Sequence, residues 1–481
     1  MDPIAVEVRF LPFTPRSLIE RLLPEEMARR VLPLLDRIAP PSSAAEAAAT
    51  GHFAASAFAV RVVSAGLAYI SQMLLARWMG GFEYGIFVVV WTLVITLGVV
   101  FAFGLEQSVI TLLRKYALDG DHGAARGLIF AGRLFTFLVS ATIAAAGCTL
   151  LWLRPDLVSD YRLVPIFVAA VCLPIYTVSE VQDGIAVAQG WPDLALYPTF
   201  IARPGIILAL LALVVALGIE PKATTACWAA VIATWGATAA QTVAIGRRLA
   251  AVLPPGPRRY DVAEWLRLSA PMALVDGFLV LLNSIDILLV GRFAEPDRVA
   301  IYFATVKTLV LVHFVHYAAK VASANRFASL WHADARADLA VFVRRLVKWT
   351  FLASLVMAVA VLLVGRPLLA LFGPGFTEGF PILFVLVLGV LARSSVGPAE
   401  TLLSMAGQQA SAALVYGLTL AVCLVLNSIL IPIYGIWGAA TGTTAAMVFE
   451  SFVLAAVVRR RLGLDVFVLA SASRTSAPDR P

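Results

Sequence analysis

LIFAGRLFTFLVSATIAAAGCTLLWL, residues 128–153, holds a single charge, Arg133, in its whole length. Coiled as an α-helix it is ~39 Å long, more than the ~30 Å hydrocarbon core of a bilayer. Its apolar residues do not alternate with polar ones, which excludes a barrel strand. Inside lipid a chain must satisfy every backbone N–H and C=O internally, so the alternative to a barrel is a helix. This stretch therefore predicts a membrane-spanning helix.

Eleven further apolar runs read the same way. Together with 128–153 the predicted spans lie near 53–76, 85–105, 163–183, 194–218 and 223–245, then 269–290, 300–324, 349–371, 380–400, 410–432 and 436–457. Composition agrees: of 481 residues 60% are hydrophobic and 14% charged, with a mean hydropathy of +0.89. Soluble domains carry about 25% charged residues. A soluble enzyme is excluded, and an all-α integral membrane bundle of about twelve helices is expected.

The net charge is +7. No basic patch with base-reading or stacking groups accompanies it, so no nucleic acid is expected as partner. The positive-inside rule accounts for it instead. One set of segments holds Arg9, Arg16, Arg21, Arg29, Arg30 and Arg37, then Arg114, Lys115 and Arg126, Arg247, Arg248, Arg258, Arg259 and Arg267, and later Arg326, Arg336, Arg344, Arg345, Lys348, Arg393, Arg459 to Arg461, Arg474 and Arg480. The opposite set holds only Arg77, Arg154, Arg162, Lys222, Arg292, Arg298 and Arg366. The bias places both termini in the cytoplasm of a cell inner membrane. Residues 1–52 read as a cytoplasmic extension, not a signal peptide, because prolines and alternating Glu and Arg interrupt any apolar core. Leu18, Ile19, Leu22, Leu23, Met27, Val31, Leu34 and Leu35 recur there at helical spacing, as in a helix lying on the membrane. Cys148, Cys172, Cys227 and Cys423 all fall in apolar runs, as small core residues do.

Six spans, a basic connection and six more spans predict a duplicated, two-lobed transporter. The expected units are an N-lobe at 53–250, a linker at 251–268, a C-lobe at 269–458 and a basic tail at 459–481. Leu74-Leu75-Ala76-Arg77 through Tyr84-Gly85-Ile86-Phe87 can be laid over Leu288-Leu289-Val290-Gly291 through Val299-Ala300-Ile301-Tyr302. Six spans between the repeats keep them parallel, so the lobes should be related by a pseudo-two-fold axis along the membrane normal, with a cavity between them. No GxxxxGK[ST] occurs, no catalytic or metal-binding constellation stands out, and no cofactor is expected.

Charges inside spans are expensive, about 2.5–3.5 kcal/mol each for a central Arg or Lys, and so point to function. Arg61, Arg133, Arg203, Lys307 and Lys320 are such residues. Arg133 and Lys320 sit near the cytoplasmic ends of their spans, where a long side chain can snorkel. Arg61 and Arg203 share one depth, ~12–14 Å inside. Arg61 heads a stripe with Ser64, Ala65, Ala68 and Gln72 of small and polar residues, the right lining for a cavity. Arg203 lies between Pro198 and Pro204, where a kink is expected. His313, His316 and Lys320 fall on one helical face, a cation-lined wall or a protonatable switch. Asp276, Asn283 and Asp286 form one stripe on the seventh span, able to bind a coupling ion or to neutralise Lys307 and Lys320. Glu180, Asp183, Glu400 and Glu450 lie near span ends and carry little weight in this reading. A lumen with fixed cations suits an anionic substrate, and Arg suits phosphate by its bidentate fork.

Leu74-Leu75-Ala76-Arg77-Trp78-Met79-Gly80 with Glu83-Tyr84-Gly85-Ile86-Phe87 resembles the opening of bacterial polysaccharide-repeat flippases. Trp265-Leu266-Arg267-Leu268-Ser269-Ala270-Pro271 resembles the start of their second half, and Asp286-Ile287-Leu288-Leu289-Val290-Gly291 their seventh span. Asn427-Ser428-Ile429-Leu430-Ile431-Pro432 followed by Tyr434-Gly435-Ile436-Trp437-Gly438-Ala439-Ala440 is the most specific match. These are members of the polysaccharide-transporter branch of the multidrug/oligosaccharidyl-lipid/polysaccharide exporter superfamily. The resemblance covers about 53–461. It implies a V-shaped bundle working by alternating access and not an enzyme. The implied substrate is an undecaprenyl-pyrophosphate-linked oligosaccharide, flipped across the inner membrane for O-antigen, lipopolysaccharide or exopolysaccharide biosynthesis. The implied partners are membrane lipids, a polymerase and glycosyltransferases of one pathway. On this reading Arg61, Arg203, Gln72, His316, Lys307 and Lys320 line the anionic head-group site, and Asp276, Asn283, Asp286 and His313 couple an ion. The rival readings are a cation-coupled multidrug antiporter of the same superfamily and a lipid II flippase, whose members usually have about two more spans.

Overall fold

The computed structural model describes residues 44–468, with side chains from Ser64 onward. The expected surface helix over 18–35, the end of the basic tail and the Arg61 side chain lie outside the described residues. The first half is built from α1 (Ala44–Phe101), α2 (Leu105–Asp119), α3 (His122–Leu153), α4 (Asp160–Ala170), α5 (Leu173–Ala188), α6 (Pro192–Tyr197), α7 (Arg203–Ala216) and α8 (Ala223–Val252). The second half holds α9 (Val262–Leu282), α10 (Ile285–Phe293), α11 (Pro296–His332), α12 (Arg336–Ala370), α13 (Phe380–Ser394), α14 (Ala399–Met405), α15 (Gln409–Tyr434) and α16 (Ile436–Leu462).

Ten helical stretches are long and apolar enough to cross a membrane, and α4 with α5, bent by 47°, make an eleventh. The first stretch contains two passes. Gly80 in α1 has φ 76° and ψ 168°, a conformation essentially reserved for glycine. Along a straight helix Tyr84 and Gln72 would lie ~18 Å apart. Instead the Tyr84 hydroxyl donates to Gln72 Oε1 at 2.8 Å, so the two limbs fold back on one another. Twelve passes result among the described residues, and the all-helical bundle read from the sequence stands.

Two boundaries differ from the reading. The second pass runs on through α2 to Asp119, where a loop was expected from 106. The connection between halves is also shorter than 251–268: α9 starts at Val262, its amino end capped by Asp261, whose Oδ1 accepts from the Glu264 amide at 3.4 Å.

The hydrophobic core is forked. Leu75, Tyr84, Phe87 and Leu211 of the first half share one buried cluster with Tyr302, Phe303, Phe372 and Leu383 of the second. This joint core lies at the end of the bundle that carries the Gly80 turn and the α10–α11 and α15–α16 turns. At the other, basic end the core divides. Leu112, Leu128, Ile185 and Ile245 pack in the first half, and Phe327, Val343, Leu402 and Val458 pack separately in the second. Burying apolar side chains stabilises by ~25 cal/mol per Å², so the joint core binds the halves at one end, while at the other the buried side chains fall into two clusters, the first completed by Trp265 of α9.

Where the halves meet at the joint end, the packing leaves no slack. A Cβ on Gly85 of α1 would run into the Pro296 carbonyl at the start of α11. Tyr84 packs its ring on Phe303 and Phe376 at 6.2 and 6.4 Å, and Tyr69 meets Phe372 edge-on at 5.4 Å. Arg162 of α4 donates across the halves to the Gly291 carbonyl of α10. Toward the basic end α9 packs on the first half at α1, at the Gly104 turn and along α2. Ser108 and Ser269 hydroxyls lie 2.6 Å apart, Trp265 Nε1 donates to Tyr116 at 2.9 Å, and Lys115 pairs with Glu264 at 2.5 Å.

Candidate functional site

Polar and charged side chains gather where the core divides. In the first half the sequence breaks the fifth pass itself. Pro198 and Pro204 remove amide donors, and residues Pro198–Ala202 form a wide π turn between α6 and α7. Where the kink is expected the structure has this π turn within one continuous span, and Arg203 follows it directly. Its Nη2 donates to Ser179 Oγ of α5 at 2.8 Å, and its guanidinium lies over the Tyr176 ring at 4.7 Å. Only 4% of Arg203 is exposed, yet its Nε has no hydrogen-bond partner among the described residues.

Two carboxylates accompany it. Glu180 hydrogen-bonds the Tyr176 side chain and lies in the field of Arg203 and of Asp276 on α9. Glu180 and Asp276 belong to different halves. Asp183 is buried, accepting from Thr199 Oγ1 at 2.8 Å and from Gln241 Nε2 at 2.7 Å. Arg133 does not reach for the membrane surface: its Nη2 donates to Gln182 Oε1 at 3.2 Å inside the first half.

In the second half His316 and Lys320 of α11 converge on one carboxylate. His316 Nε2 lies 3.2 Å and Lys320 Nζ 3.9 Å from Glu400 Oε1 of α14. Arg393 of α13 pairs with Glu450 of α16 at 3.5 Å. His316 and both acids are buried, while the Lys320 side chain remains 45% exposed. His313 leaves this group and bonds back to the Leu309 carbonyl at 3.2 Å.

Nearer the joint end, Lys307 holds its ammonium 4.8 Å over the Phe303 ring. Asp286 accepts from Tyr302 Oη and from the Ile287 amide, each at 2.8 Å. The expected stripe of Asp276, Asn283 and Asp286 is broken. The seventh pass interrupts at Asn283–Ser284, between α9 and α10, and Asn283 turns its amide back onto the Leu279 carbonyl at 2.7 Å. That bond competes with the helix ladder. Asn283 ends exposed, Asp276 half-buried on the fork and Asp286 buried beyond the break.

The four acids given little weight by their position near span ends are thus central to both clusters. Each half-pass is broken or tilted there, which carries a nominal span end into the interior. Their sequence signal was the count itself: buried cations need counter-ions, and no other carboxylates were free to supply them. Among the described residues no group of three or more His, Cys, Asp or Glu is arranged to hold a metal ion.

This arrangement of twelve passes in two halves is the fold of the MOP-superfamily transporters. The chain superposes on an inward-facing multidrug-resistance MATE family transporter with a TM-score of 0.67 and 12% identity, covering 83% of this chain and 94% of that one. The lipid II flippase MurJ in an inward closed conformation gives 0.67 and 13%, covering 84% and 87%. A MOP-superfamily transporter from Pyrococcus furiosus, whose binding pocket is described as reversed in polarity, gives 0.58 and 13%, covering 85% and 93%. Comparison with curated proteins returns no match. Residues 54–323 match the model of the polysaccharide biosynthesis protein family, more than half of the chain, and the chain belongs to that family.

Proposed function

We propose that the protein is a flippase that carries undecaprenyl-pyrophosphate-linked oligosaccharide repeat units from the cytoplasmic to the periplasmic leaflet of the inner membrane, for O-antigen or exopolysaccharide biosynthesis. The observation that carries this reading is Arg203: a guanidinium buried in the first half at the fork, hydrogen-bonded to a neutral hydroxyl, with Nε unspent. A buried cation with donor capacity left over is suited to a phosphate, which takes two parallel N–H bonds from Arg. Membership of a polysaccharide biosynthesis family supports a glycan cargo. Lys320, half exposed on the opposite half, supplies a second cation, with His316 behind it. On this reading the basic end is cytoplasmic, the pyrophosphate enters the fork there, the sugars occupy it, and the polyprenyl chain stays in lipid. Closing the fork and parting the joint end then exposes the head group to the other side. A polymerase and glycosyltransferases act on the same lipid before and after.

A flippase-deficient strain tests it. Arg61→Ala and Arg203→Ala, each made at the wild-type level, are expected to leave surface polysaccharide unrestored. Restoration by both discards the pyrophosphate role.

One observation favours a second reading. Glu180 and Asp276 put carboxylates in both halves, as a cation-coupled drug antiporter would need. Such a protein would lower drug susceptibility of its host, and a deletion strain with an unchanged drug profile but altered surface glycan separates the two.

A further inference from the structure

At the basic end of the second half the chain turns back as soon as α16 stops. Gly463, left-handed at φ 67°, makes the turn. Leu464 and Val466 then bury themselves, 6% and 2% exposed, in the cluster of Phe327, Val343 and Leu402. Between and beyond them Asp465 lies 3.5 Å from Arg459, and the Phe467 ring stacks on Phe452 at 6.1 Å.

What this segment meets is the break in the tenth pass. Pro398 has no amide N–H, and Gly397 sits at φ 59°, a conformation that favours glycine, so the sequence itself ends α13 here. Ending a helix leaves carbonyls without intrahelical partners. The Ser394 carbonyl is met by the Gly397 amide at 3.1 Å. Ser395 is the harder case. In a continuous helix its carbonyl would take the Ala399 amide, but that amide donates to the Gly397 carbonyl at 2.9 Å. The Val468 amide donates to the Ser395 carbonyl instead, also at 2.9 Å. Ser395 is 7% exposed, and a buried carbonyl without a partner is costly. Val466 meanwhile shares one apolar recess with Val396, Pro398, Ala399 and Leu402, residues from both sides of the break.

Glu400 follows Ala399 directly, and its Oε1 is the atom on which His316 and Lys320 converge. We infer that residues 463–468 are a clasp: Val468 supplies the backbone donor that the tenth pass lacks, Val466 closes the recess beside it, and together they position Glu400 against His316 and Lys320. Undocking the segment uncaps Ser395 and opens the recess to water. The restarted helix α14 then loses its anchor at the break, and Glu400 loosens its hold on the half-exposed Lys320. The clasp itself stands apart from any cargo, whereas its bearing on transport rests on the flippase reading.

Two substitutions at one position separate the amide from the side chain, since Val468→Pro removes the donor and Val468→Ala keeps it. In full-length protein in detergent, amides of residues 395–405 are expected to exchange with deuterium at least about tenfold faster in Val468→Pro than in Val468→Ala or wild type, because local opening there becomes easier. Exchange in α3 should be the same in all three. Val466→Asp, which unseats the segment through a side chain, should repeat the effect of the proline. In thermal unfolding the loss caused by Val468→Pro should shrink once Glu400→Gln has removed the carboxylate, a coupling that a segment merely adding stability does not show. Unchanged exchange over 395–405, or additive losses in that cycle, would overturn the clasp whatever the cargo is. In a flippase-deficient strain, at equal protein levels, Val468→Pro should restore less surface polysaccharide than Val468→Ala. Equal restoration beside raised exchange would remove the clasp from the transport cycle.

Discussion

Tyr302 donates to Asp286 at 2.8 Å, and the first half contains its counterpart: Tyr84 donates to Gln72 at the same distance. In the alignment of the two halves Gln72 falls on Asp286. In each half a tyrosine from the second pass thus ties back an acceptor on the first, next to the turn that joins them. By that alignment the acceptors are equivalent and the tyrosines are not, since Tyr84 falls on Val299 and Tyr302 on Phe87: the halves reach a like tie from different positions, on an amide in one and a carboxylate in the other.

Tyr84→Phe removes one such tie and leaves the Gln72 amide oxygen unpaired. A cost of ~1–3 kcal/mol is expected in thermal unfolding. Replacing both partners, Tyr84→Phe with Gln72→Leu, leaves nothing unpaired and should cost less than the sum of the singles, a coupling readable from a double-mutant cycle. Additive losses would show the bond to be incidental.

Gly85→Ala is expected to act on the cycle more than on folding. The new methyl would press on the Pro296 carbonyl, a backbone atom of the other half that has no rotamer to escape into. The joint end should then be pushed apart. Thiol labelling of a cysteine placed at Phe376 should be faster in the variant than in wild type, and unchanged labelling would mean that the helices absorb the methyl locally.

The helices and their number were legible because a span must be long and apolar whatever its neighbours do. Arg203 and its kink were legible too, since prolines and intramembrane charge act locally. The partners were not. Glu400 reads as a span end until the tenth pass breaks after Ser394 and restarts at Ala399, bringing it to His316. Asp286 appears to share a face with Asn283 only on an unbroken wheel. Pairing across passes depends on where helices break, and periodicity does not register the break at Asn283–Ser284.

Arg203 can be tested for architecture and transport separately. Arg203→Met alone removes the cation in whose field the Glu180 carboxylate lies, and a loss of stability in thermal unfolding is expected. Arg203→Met with Glu180→Gln removes both charges and should regain most of the stability, measured by thermal unfolding. On the proposed function the double variant folds yet still fails to restore surface polysaccharide. A double variant that restores it would make Arg203 a purely structural cation.

Ser108 and Ser269 offer the means to hold the basic end shut. Their hydroxyls lie 2.6 Å apart on α2 and α9, flanked by the Lys115–Glu264 pair and the Trp265–Tyr116 bond, which together join the halves here. A disulfide needs about 3.5–4.5 Å between Cβ atoms, and hydroxyls in hydrogen-bond contact leave the two side chains within a small shift of it. Ser108→Cys with Ser269→Cys should therefore cross-link under mild oxidation. If cargo enters by parting α2 from α9, the oxidised protein loses polysaccharide export and regains it on reduction, while either single variant exports throughout. Full export by the cross-linked protein would mean that this contact stays closed through the cycle and that the fork is entered along its other face.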